Sequence, residues 1–367
     1  MRLTIKRADF QSALQKLVGV VERRQIAEIY GNILISAAPD GDVSIRATNG
    51  DLECVVFTQA DVDEPGDITV PAAFTLATVQ NMTCDTVSLS PEPDGPRCVL
   101  KGGRSRFLIP TLPAEQFPIM AMEDPEAEFT IPAQVLAEAF SRVSFAVDTR
   151  KAVLLAGVWM SVGDERIQLA ATDTHKGSST YLDHAPALPP EGIIIPDRLF
   201  KAIETLLSKI DAPADFAWSQ GKVSVRAPGL WLTSKLLDGR YPNFNGAVKA
   251  ATPNPAVVFV DTAEFLAMVR RVMVAAPGVS KHIRLDVRPG FMAATARGIT
   301  QSQAAEDEID VQYDGDFFHR SFGAQFLVDV LSRIEQATIG VHFHANGATF
   351  FRGEGDDFRF VFAAGLK

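Results

Sequence analysis

Six copies of one pattern constrain the fold of this chain more than any other feature. Each copy is a short apolar run rich in β-branched residues, followed in most copies by Pro, Asp or Gly, and then by an amphipathic helix signal. The positions at which the helices are predicted to start are Arg7, Pro71, Pro132, Pro196, Asp261 and Gly323. They are 64, 61, 64, 65 and 62 residues apart, so the chain is predicted to consist of six similar units.

Between the predicted helices, apolar and polar residues alternate in short runs that turn residues separate. Residues 31–59 are predicted to form three strands around PDGD and NGD, and residues 86–112 three more around PEPDG and KGG. One helix on a small antiparallel sheet leaves sheet edges unpaired, so neighbouring units are expected to join side by side. The predicted fold class is therefore α+β, built from helix-plus-antiparallel-strand repeats.

The six units are predicted to form three domains. Pro-rich and acidic segments at residues 119–129 and 248–258 divide the units into three pairs. The predicted limits are 1–122, 123–250 and 251–367, with two repeats in each domain. A chain of 367 residues is long for one ordinary domain, which agrees with this division.

The net charge of −10 is unevenly distributed along the chain. The six predicted helices and their flanks carry an excess of five positive charges, which leaves −15 for the rest. One interpretation is that the helices share a surface that faces a polyanion while the acidic sheets face away. The other interpretation is that the charge is scattered by chance. The acidic total excludes a protein that coats nucleic acid through its overall charge.

The start of the chain, MRLTIKRADF, carries charge where a signal peptide needs an apolar core, and the sequence has no run of 18 apolar residues. A cytoplasmic location without membrane association is therefore expected. The three cysteines, Cys54, Cys84 and Cys98, have no C-x-x-C spacing. Buried or neutral thiols are therefore predicted in place of disulfides or a zinc site.

The segment ATDTHKGSST (residues 171–180) is the most prominent candidate for chemistry, because it places Thr, Asp and His within four positions. It could be a catalytic corner, half of a metal site or part of a binding surface. His342 and His344 would point to the same face of a strand and could hold a metal. The sequence has no recognisable nucleotide-binding, metalloprotease or nucleophile-elbow motif, so no catalytic residue, metal or cofactor is predicted.

The most distinctive motifs of the chain are TSKLLDGRYPNF at residues 233–244 and GGRSRFLIPTLPAEQFP at residues 102–118, together with GNILI, TDTH and FLVDVL. They resemble the motifs of a known family, the bacterial DNA polymerase III beta subunit or replication sliding clamp, and the resemblance covers the whole chain. It implies three similar domains per chain. It also implies a closed ring in which two chains join head to tail, with helices lining the hole and sheets outside.

The resemblance also implies a function. Members of the family are not enzymes; they encircle double-stranded DNA without reading its sequence, after an ATP-driven clamp loader opens and closes the ring. They tether the DNA polymerase III alpha subunit and other proteins that carry a clamp-binding motif, which makes synthesis processive. The alternative is a divergent accessory, plasmid or phage-related paralogue with altered or regulatory partner binding.

Three sets of site residues follow from the same resemblance. The residues implied to contact DNA are Arg23, Arg24, Arg104, Arg106, Arg150, Lys151, Arg198 and Lys281. The residues implied to form the interface of a homodimer are Phe107 and Ile109, with Met273 and Val274 as partners on the other chain. The residues implied to line a cleft for partner peptides are Leu155, Thr172, His175, Lys176, Pro242, Val361 and Phe362.

The chain departs from the family pattern in this cleft. The family usually has TDGHRL, whereas this chain has TDTHKG, so Thr174 replaces Gly, Lys176 replaces Arg and Gly177 replaces Leu. The loss of a Leu side chain removes apolar surface worth about 1–3 kcal/mol to a bound peptide. Altered partner choice is therefore expected at these three positions.

Overall fold

The structure, a computed structural model, is an α+β protein, as the repeats predict. It describes residues 1–21, 27–93, 95–122, 124–148, 153–163, 166–183, 188–250, 253–275, 282–297, 304–353 and 359–362. The α-helices in these ranges are α1 (Arg7–Leu17), α2 (Ala72–Gln80), α3 (Ala133–Ser144), α4 (Asp197–Leu206), α5 (Phe244–Lys249), α6 (Thr262–Met273) and α7 (Ala324–Leu331).

The strands pair antiparallel throughout the described ranges. The first twelve are β1 (Arg2–Lys6), β2 (Asn32–Ala37), β3 (Asp42–Thr48), β4 (Leu52–Gln59), β5 (Asp61–Glu64), β6 (Gly66–Pro71), β7 (Thr86–Pro91), β8 (Arg97–Gly102), β9 (Ser105–Pro110), β10 (Ala127–Pro132), β11 (Gly157–Gly163) and β12 (Arg166–Thr172). The others are β13 (Lys176–Leu182), β14 (Ile193–Pro196), β15 (Pro213–Ser219), β16 (Lys222–Ala227), β17 (Leu230–Lys235), β18 (Ala256–Asp261), β19 (His282–Arg288), β20 (Phe291–Arg297), β21 (Ala304–Asp310), β22 (Phe318–Gly323), β23 (Thr338–Phe343), β24 (Thr349–Gly353) and β25 (Arg359–Phe362).

The six repeat helices start at the predicted positions or one residue later, so the repeat is confirmed. The reason is that each helix follows directly on a strand, through a residue whose backbone is still extended or nearly so, as at Pro71 and Pro196. Asp261 adds a side-chain cap, because its carboxylate accepts a hydrogen bond of 2.8 Å from the backbone N–H of Glu264. The predicted strands within residues 31–59 and 86–112 are also present, as β2 to β4 and β7 to β9.

The chain forms two compact units, and the first contains residues 1–137 and 196–236. It has a five-stranded sheet in the order β5-β1-β7-β8-β9 and an eight-stranded sheet in the order β10-β15-β16-β17-β4-β3-β2-β6. Helix α1 packs against α2 and β4, and this packing buries Phe10, Leu14 and Leu17 almost completely. These side chains follow the apolar period of an amphipathic helix, which is why the sequence pattern located α1.

The second unit contains residues 138–195 and 237–367. It has an eight-stranded sheet in the order β14-β11-β12-β13-β25-β24-β23-β18 and a four-stranded sheet in the order β21-β20-β19-β22. Helices α6 and α7 pack together, and the core beneath them includes the buried rings of Phe265, Phe322 and Phe351.

Two strand pairs join segments that the sequence assigns to different domains. In the first unit, β17 pairs with β4 over five residue pairs, and in the second unit β13 pairs with β25 over four. Each eight-stranded sheet therefore continues across a predicted domain limit, which is why the compact units differ from the three predicted domains. Strands β9 and β21 each lie at the end of their sheet.

The cysteines are free thiols, and Cys54 and Cys98 are fully buried. Burial raises the pKa of the Cys54 thiol to about 12 and that of Cys98 to about 11, so both are neutral at ordinary pH. The prediction of thiols without disulfides is confirmed. None of the helices described here is both long and apolar enough to cross a membrane.

Candidate functional site

The segment that suggested chemistry forms a tight turn between β12 and β13. The side chain of Asp173 accepts hydrogen bonds from the backbone N–H groups of His175 (2.9 Å) and Lys176 (2.8 Å). The hydroxyl of Thr172 donates to the carbonyl of Lys176 (2.6 Å) and accepts from the N–H of Thr174 (3.0 Å). The Asp and Thr side chains therefore hold the turn together, a role that requires no catalytic chemistry.

Thr174 has an unusual backbone conformation for a β-branched residue. Its φ angle is +74°, in the left-handed region that Gly adopts without strain. A β-branched side chain there costs on the order of 1–2 kcal/mol. The hydrogen bonds of the surrounding turn offset this cost, and they leave the His175 side chain exposed at the tip of the hairpin.

A small apolar cluster lies beneath the turn. It consists of Leu155, Ile194 and Tyr241, and the ring of Trp159 stacks on that of Tyr241 with centroids 5.9 Å apart. The backbone N–H of Thr172 donates a hydrogen bond of 3.0 Å to the Tyr241 hydroxyl, which ties the turn to the cluster. Burial raises the pKa of Tyr241 above its ordinary value, so the phenol stays neutral.

The Phe244 ring lies next to Gly177, in the space that a side chain at position 177 would occupy. A Cβ atom at Gly177 would lie 2.9 Å from Cε2 of Phe244, closer than real Cβ contacts. Phe244 is 5% exposed and starts α5, where Asn243 caps the helix by accepting from the N–H of Gly246 (2.9 Å). The aromatic ring therefore occupies volume that a larger side chain at position 177 would need.

Two cations surround the ring of Phe145, which follows α3. The Nζ atom of Lys176 lies 5.6 Å from the ring centroid, and the guanidinium carbon of Arg333 lies 4.9 Å from it. Arg333 also donates to the carbonyls of Ser141 (3.0 Å) and Asp329 (2.7 Å). Lys176 is therefore partly held by an aromatic face, in a position next to the cleft.

The structure brings most of the predicted cleft residues together. Thr172, His175 and Lys176 form the turn, and the Leu155 side chain lies beneath it. The backbone of Lys176 pairs with that of Phe362, and Gly177 with Val361, so β25 lies along the edge of β13 opposite β12. Pro242 is exposed and directly precedes the cap of α5.

The predicted DNA contacts divide into two groups. Arg23, Arg24, Arg150, Lys151 and Lys281 lie outside the described residues. Arg104 and Arg198 are exposed, the first in the turn before β9 and the second in the first turn of α4. Arg106 lies on β9 and has an Nη2 atom 4.0 Å from a carboxylate oxygen of Glu92.

The predicted interface residues differ in exposure. Phe107 and Met273 are half-buried, and Val274 is 84% exposed at the end of α6. Ile109 is fully buried in the core of the first unit, so its side chain does not reach the surface of the single chain. Side chains alternate along a strand, and the exposed apolar residue of β9 is Leu108, at 36%.

Comparison with known proteins settles the family. The family model for the N-terminal domain of the DNA polymerase III beta subunit matches residues 1–121, that for the central domain residues 130–243, and that for the C-terminal domain residues 252–357. The chain belongs to the DNA polymerase III beta subunit family.

Individual relatives of the beta subunit agree with this assignment. A beta sliding clamp of Caulobacter vibrioides is 32% identical over 343 residues, which cover 91% of each chain. A beta sliding clamp of Pseudomonas aeruginosa is 27% identical over 368 residues, which cover 98% of each chain. A crystal structure of the sliding clamp from Caulobacter crescentus superposes with a TM-score of 0.90 at 29% identity and covers both chains completely.

Membership of the beta subunit family establishes what the protein does. The protein is a replication sliding clamp subunit and a processivity factor, not an enzyme. The whole-length match does not favour a divergent accessory paralogue. Among the residues that the structure describes, no three His, Cys, Asp or Glu side chains form a group that could hold a metal ion.

The sequence did not single out three aromatic residues that pack next to the predicted cleft residues of this beta subunit. Tyr241 and Trp159 pack with Leu155, and Phe244 lies beside Gly177. Tyr241 and Phe244 do lie in the TSKLLDGRYPNF motif, so that motif was the available signal. Trp159 carried no signal, because nothing in a strand sequence indicates which distant aromatic ring will stack on it.

Proposed function

We propose that two copies of this chain close head to tail into a ring around duplex DNA and tether DNA polymerase III to it. The observation that carries the proposal is that β9 and β21 both end their sheets. Sheet ends expose unpaired backbone groups, which proteins normally cover or pair. Pairing β21 of one chain with β9 of the other would cover both ends and close the ring.

The repeats support this pairing. One strand order occurs three times, as β1-β7-β8-β9, β10-β15-β16-β17 and β18-β23-β24-β25, and a second order occurs as β6-β2-β3-β4, β14-β11-β12-β13 and β22-β19-β20-β21. The last strand of one order joins the last strand of the other twice within the chain, as β17 with β4 and β25 with β13. Strands β9 and β21 are the last strands of the two orders that have no such partner within the chain. Their pairing between two chains would therefore repeat the same kind of strand pairing a third time.

The charges of the two strands are complementary. Strand β21 reads AAEDEID and carries four carboxylates in seven residues. Strand β9 and the turn before it carry Arg104 and Arg106, both exposed. Opposite charges on paired strands contribute roughly 0.2–1 kcal/mol per pair. We therefore assign Arg104 and Arg106 to the dimer interface in preference to DNA.

Apolar side chains next to these strands fit the same interface. Met273 is the last residue of α6 and Val274 follows it, while Leu108 and Phe107 lie on β9. An interface of two short strands needs such apolar neighbours, because exposed ion pairs alone contribute little to association. Ile109 supports the interface from within the core through its backbone position on the same strand.

Contact with DNA is proposed to be loose and independent of sequence. The proposed contacts are cations on or beside the helices. Because Arg104 and Arg106 are assigned to the dimer interface, Arg198 is the remaining predicted DNA contact among the described residues. Contacts to phosphates weaken steeply with salt and carry no sequence information. A closed ring stays on DNA through its topology, so weak contacts suffice and permit sliding.

The cleft of the second unit is proposed to take short peptides from partner proteins. These partners are the DNA polymerase III alpha subunit, the clamp loader and other proteins with a clamp-binding motif. The apolar cluster around Leu155 and Tyr241, with the polar turn of Thr172 and His175 at its rim, suits a peptide with aromatic or Leu anchors. The proposed place of work is the cytoplasm, where bacterial DNA lies.

A charge-swap pair tests the ring. Variant one carries Arg104→Glu in the turn before β9 and Arg106→Glu on β9, and variant two carries Glu306→Arg and Glu308→Arg on β21. In a dimer of variant one, acidic residues would face acidic residues at both contacts between β9 and β21, and in a dimer of variant two arginines would face arginines. Each variant alone is therefore expected to sediment as a monomer. An equimolar mixture has complementary charges at both contacts and is expected to sediment as a dimer. Monomers in the mixture would remove the proposed pairing.

A second experiment tests the function. After treatment with the clamp loader and ATP, the wild-type dimer is expected to remain on nicked circular DNA and to slide off the same DNA once it is linearised. Equal loss from circular and linear DNA would leave only electrostatic adhesion and would refute encirclement. The mixed charge-swap dimer serves as the control. It has reversed charges at one of its two contacts, and it is expected to remain on circular DNA as the wild type does, because its ring is also closed.

A further inference from the structure

The two compact units contain the same turn. In the first unit TNGDLE (residues 48–53) connects β3 with β4, and in the second TDTHKG (residues 172–177) connects β12 with β13. In both, the hydroxyl of the first threonine donates to the backbone carbonyl four residues later, at 3.0 Å in the first unit and 2.6 Å in the second. In both, the side-chain oxygen of the second residue accepts from the N–H groups two and three residues later. Position 53 therefore corresponds to position 177.

The units differ at this last position of the turn. The second unit has Gly177, and the ring of Phe244 fills the space beside it. The first unit has Glu53, on the strand β4 that pairs with β17. Met120 corresponds to Phe244, because each lies two residues after a proline that follows an aromatic residue. The same space is therefore closed by an aromatic ring in the second unit and by a carboxylate in the first.

Two donors converge on this carboxylate, although Glu53 is only 2% exposed. Its Oε1 atom accepts from Nη1 of Arg46 (3.3 Å), and its Oε2 atom accepts from the backbone N–H of Met120 (3.1 Å). Burial raises the pKa of Glu53, while the Met120 N–H and the charge of Arg46 counter that rise. Both partners can only donate, so both side-chain oxygens must accept. A glutamine cannot meet this requirement, because its amide nitrogen donates.

The Met120 N–H belongs to a connecting segment, residues 111–122, that runs across the eight-stranded sheet of the first unit. The segment is bound to β6 through Thr69, whose hydroxyl donates to the carbonyl of Leu112 (2.6 Å) and accepts from its N–H (2.8 Å). It is bound to β4 through Glu53. It is bound to β16 through Lys222, whose ammonium group donates to a backbone carbonyl of the segment (2.8 Å). Since β6 and β4 lie on one side of the joint between β4 and β17, and β16 lies on the other, the segment spans that joint.

We propose that Glu53 is a latch, whose carboxylate holds the connecting segment across the joint between β4 and β17 and so keeps these two strands paired. Of the three contacts, it is the one on a strand of the joint itself. The contact of Lys222 is exposed to water and contributes little. Loss of the Glu53 carboxylate matters more, because a buried donor that is left unpaired is costly.

Hydrogen exchange of the Met120 amide in the full-length protein tests the latch. Glu53→Gln keeps the size of the side chain but cannot accept from both donors, so the Met120 amide is expected to exchange about tenfold faster. The amides of β17 are expected to exchange faster as well. Glu64→Gln is the matched control, because Glu64 pairs with Arg2 at 3.5 Å in the same unit, but both side chains are about half exposed. The control is expected to exchange like the wild type.

Removal of the second donor is expected to rescue the glutamine variant. Arg46→Met alone leaves a buried carboxylate with one donor, so the Met120 amide is expected to exchange faster than in the wild type. In the double variant Arg46→Met/Glu53→Gln, the amide oxygen is free to accept from the Met120 N–H. Exchange is then expected to return to within about threefold of the wild-type rate. Exchange in the double variant as fast as in Glu53→Gln would overturn the proposal, and so would wild-type exchange in Glu53→Gln.

The amides of β8, in the other sheet of the first unit, separate the latch from general destabilisation. They are expected to exchange at the wild-type rate in Glu53→Gln, because a latch releases its own segment and the joint before the rest of the unit. Equal acceleration in β8, β17 and the connecting segment would overturn the proposal. The latch goes beyond the proposed function and does not rest on it. Its measurements need neither DNA nor ring closure, so a failure of encirclement leaves them decisive.

Discussion

Replacing Gly177 with Leu tests whether the Phe244 ring occupies the space that a Leu side chain at position 177 would need. A Cβ atom at position 177 would lie 2.9 Å from the Phe244 ring and 3.5 Å from the carbonyl oxygen of Ala171, so only the ring can give way. Phe244 is 5% exposed, and moving its ring into solvent forfeits about 1.5–3 kcal/mol of apolar burial. We expect Gly177→Leu to destabilise the second unit by about 2 kcal/mol.

A double-mutant cycle turns this expectation into a sharp test. Phe244→Ala alone is expected to cost about 3–5 kcal/mol, because it leaves a cavity. The double variant is expected to cost about 2 kcal/mol less than the two single changes together, since the introduced Leu side chain fills the space that the ring leaves.

Hydrogen exchange of the amides of β12 and β13 measures the local opening free energy in each variant. Gly163→Leu is the control, because Gly163 lies in the same sheet and an added Cβ atom there would meet nothing within 4 Å. Additivity of the two changes within about 0.5 kcal/mol would refute the shared-space explanation.

Three further predictions follow from single positions. Thr174→Gly is expected to raise the melting temperature by relieving a φ of +74°, a gain of about 1 kcal/mol that Thr174→Ala would not match. Val274→Asp is expected to yield folded monomers in sedimentation, because the side chain is 84% exposed, whereas Ile109→Asp is expected to unfold the first unit, because that side chain is fully buried. Burial, reinforced by the charges of Arg352 and His344, lowers the pKa of His342. As the pH falls through about 6.5, this histidine therefore takes up a proton in the unfolded chain before it does so in the folded chain, and the free energy of unfolding decreases. In thermal melts between about pH 7 and pH 5, His342→Asn is expected to reduce this decrease.

The helices and strands could be predicted because their signals are local. A Pro or Asp at a helix start, such as Pro196 or Asp261, restricts only its own backbone and its nearest neighbours, and an apolar period reveals which face is buried. The joint between β4 and β17 could not be predicted in the same way. The pairing of Val55 with Trp231 connects segments far apart in the chain, and neither strand sequence names its partner.

The turn that carries the candidate site has a structure that the sequence did not reveal. The TDTH motif located the turn, yet the role of Asp173 as a backbone acceptor became clear only from its two hydrogen bonds. Gly177 signalled a missing side chain, but the sequence gave no indication that Phe244 fills the space. Helix α5, which carries Phe244, is six residues long and contains a Gly, so its helix signal is weak.

The charges on the two sheet ends have a consequence for the direction of assembly. Two acidic β21 strands repel each other when paired, and so do two arginine-bearing β9 strands, because like charges on facing strands are destabilising. Only the unlike pairing is free of this repulsion. Joined in this way, successive subunits of the proposed ring all point the same way around the circle, so its two faces are chemically different and the proposed clefts open on the same face.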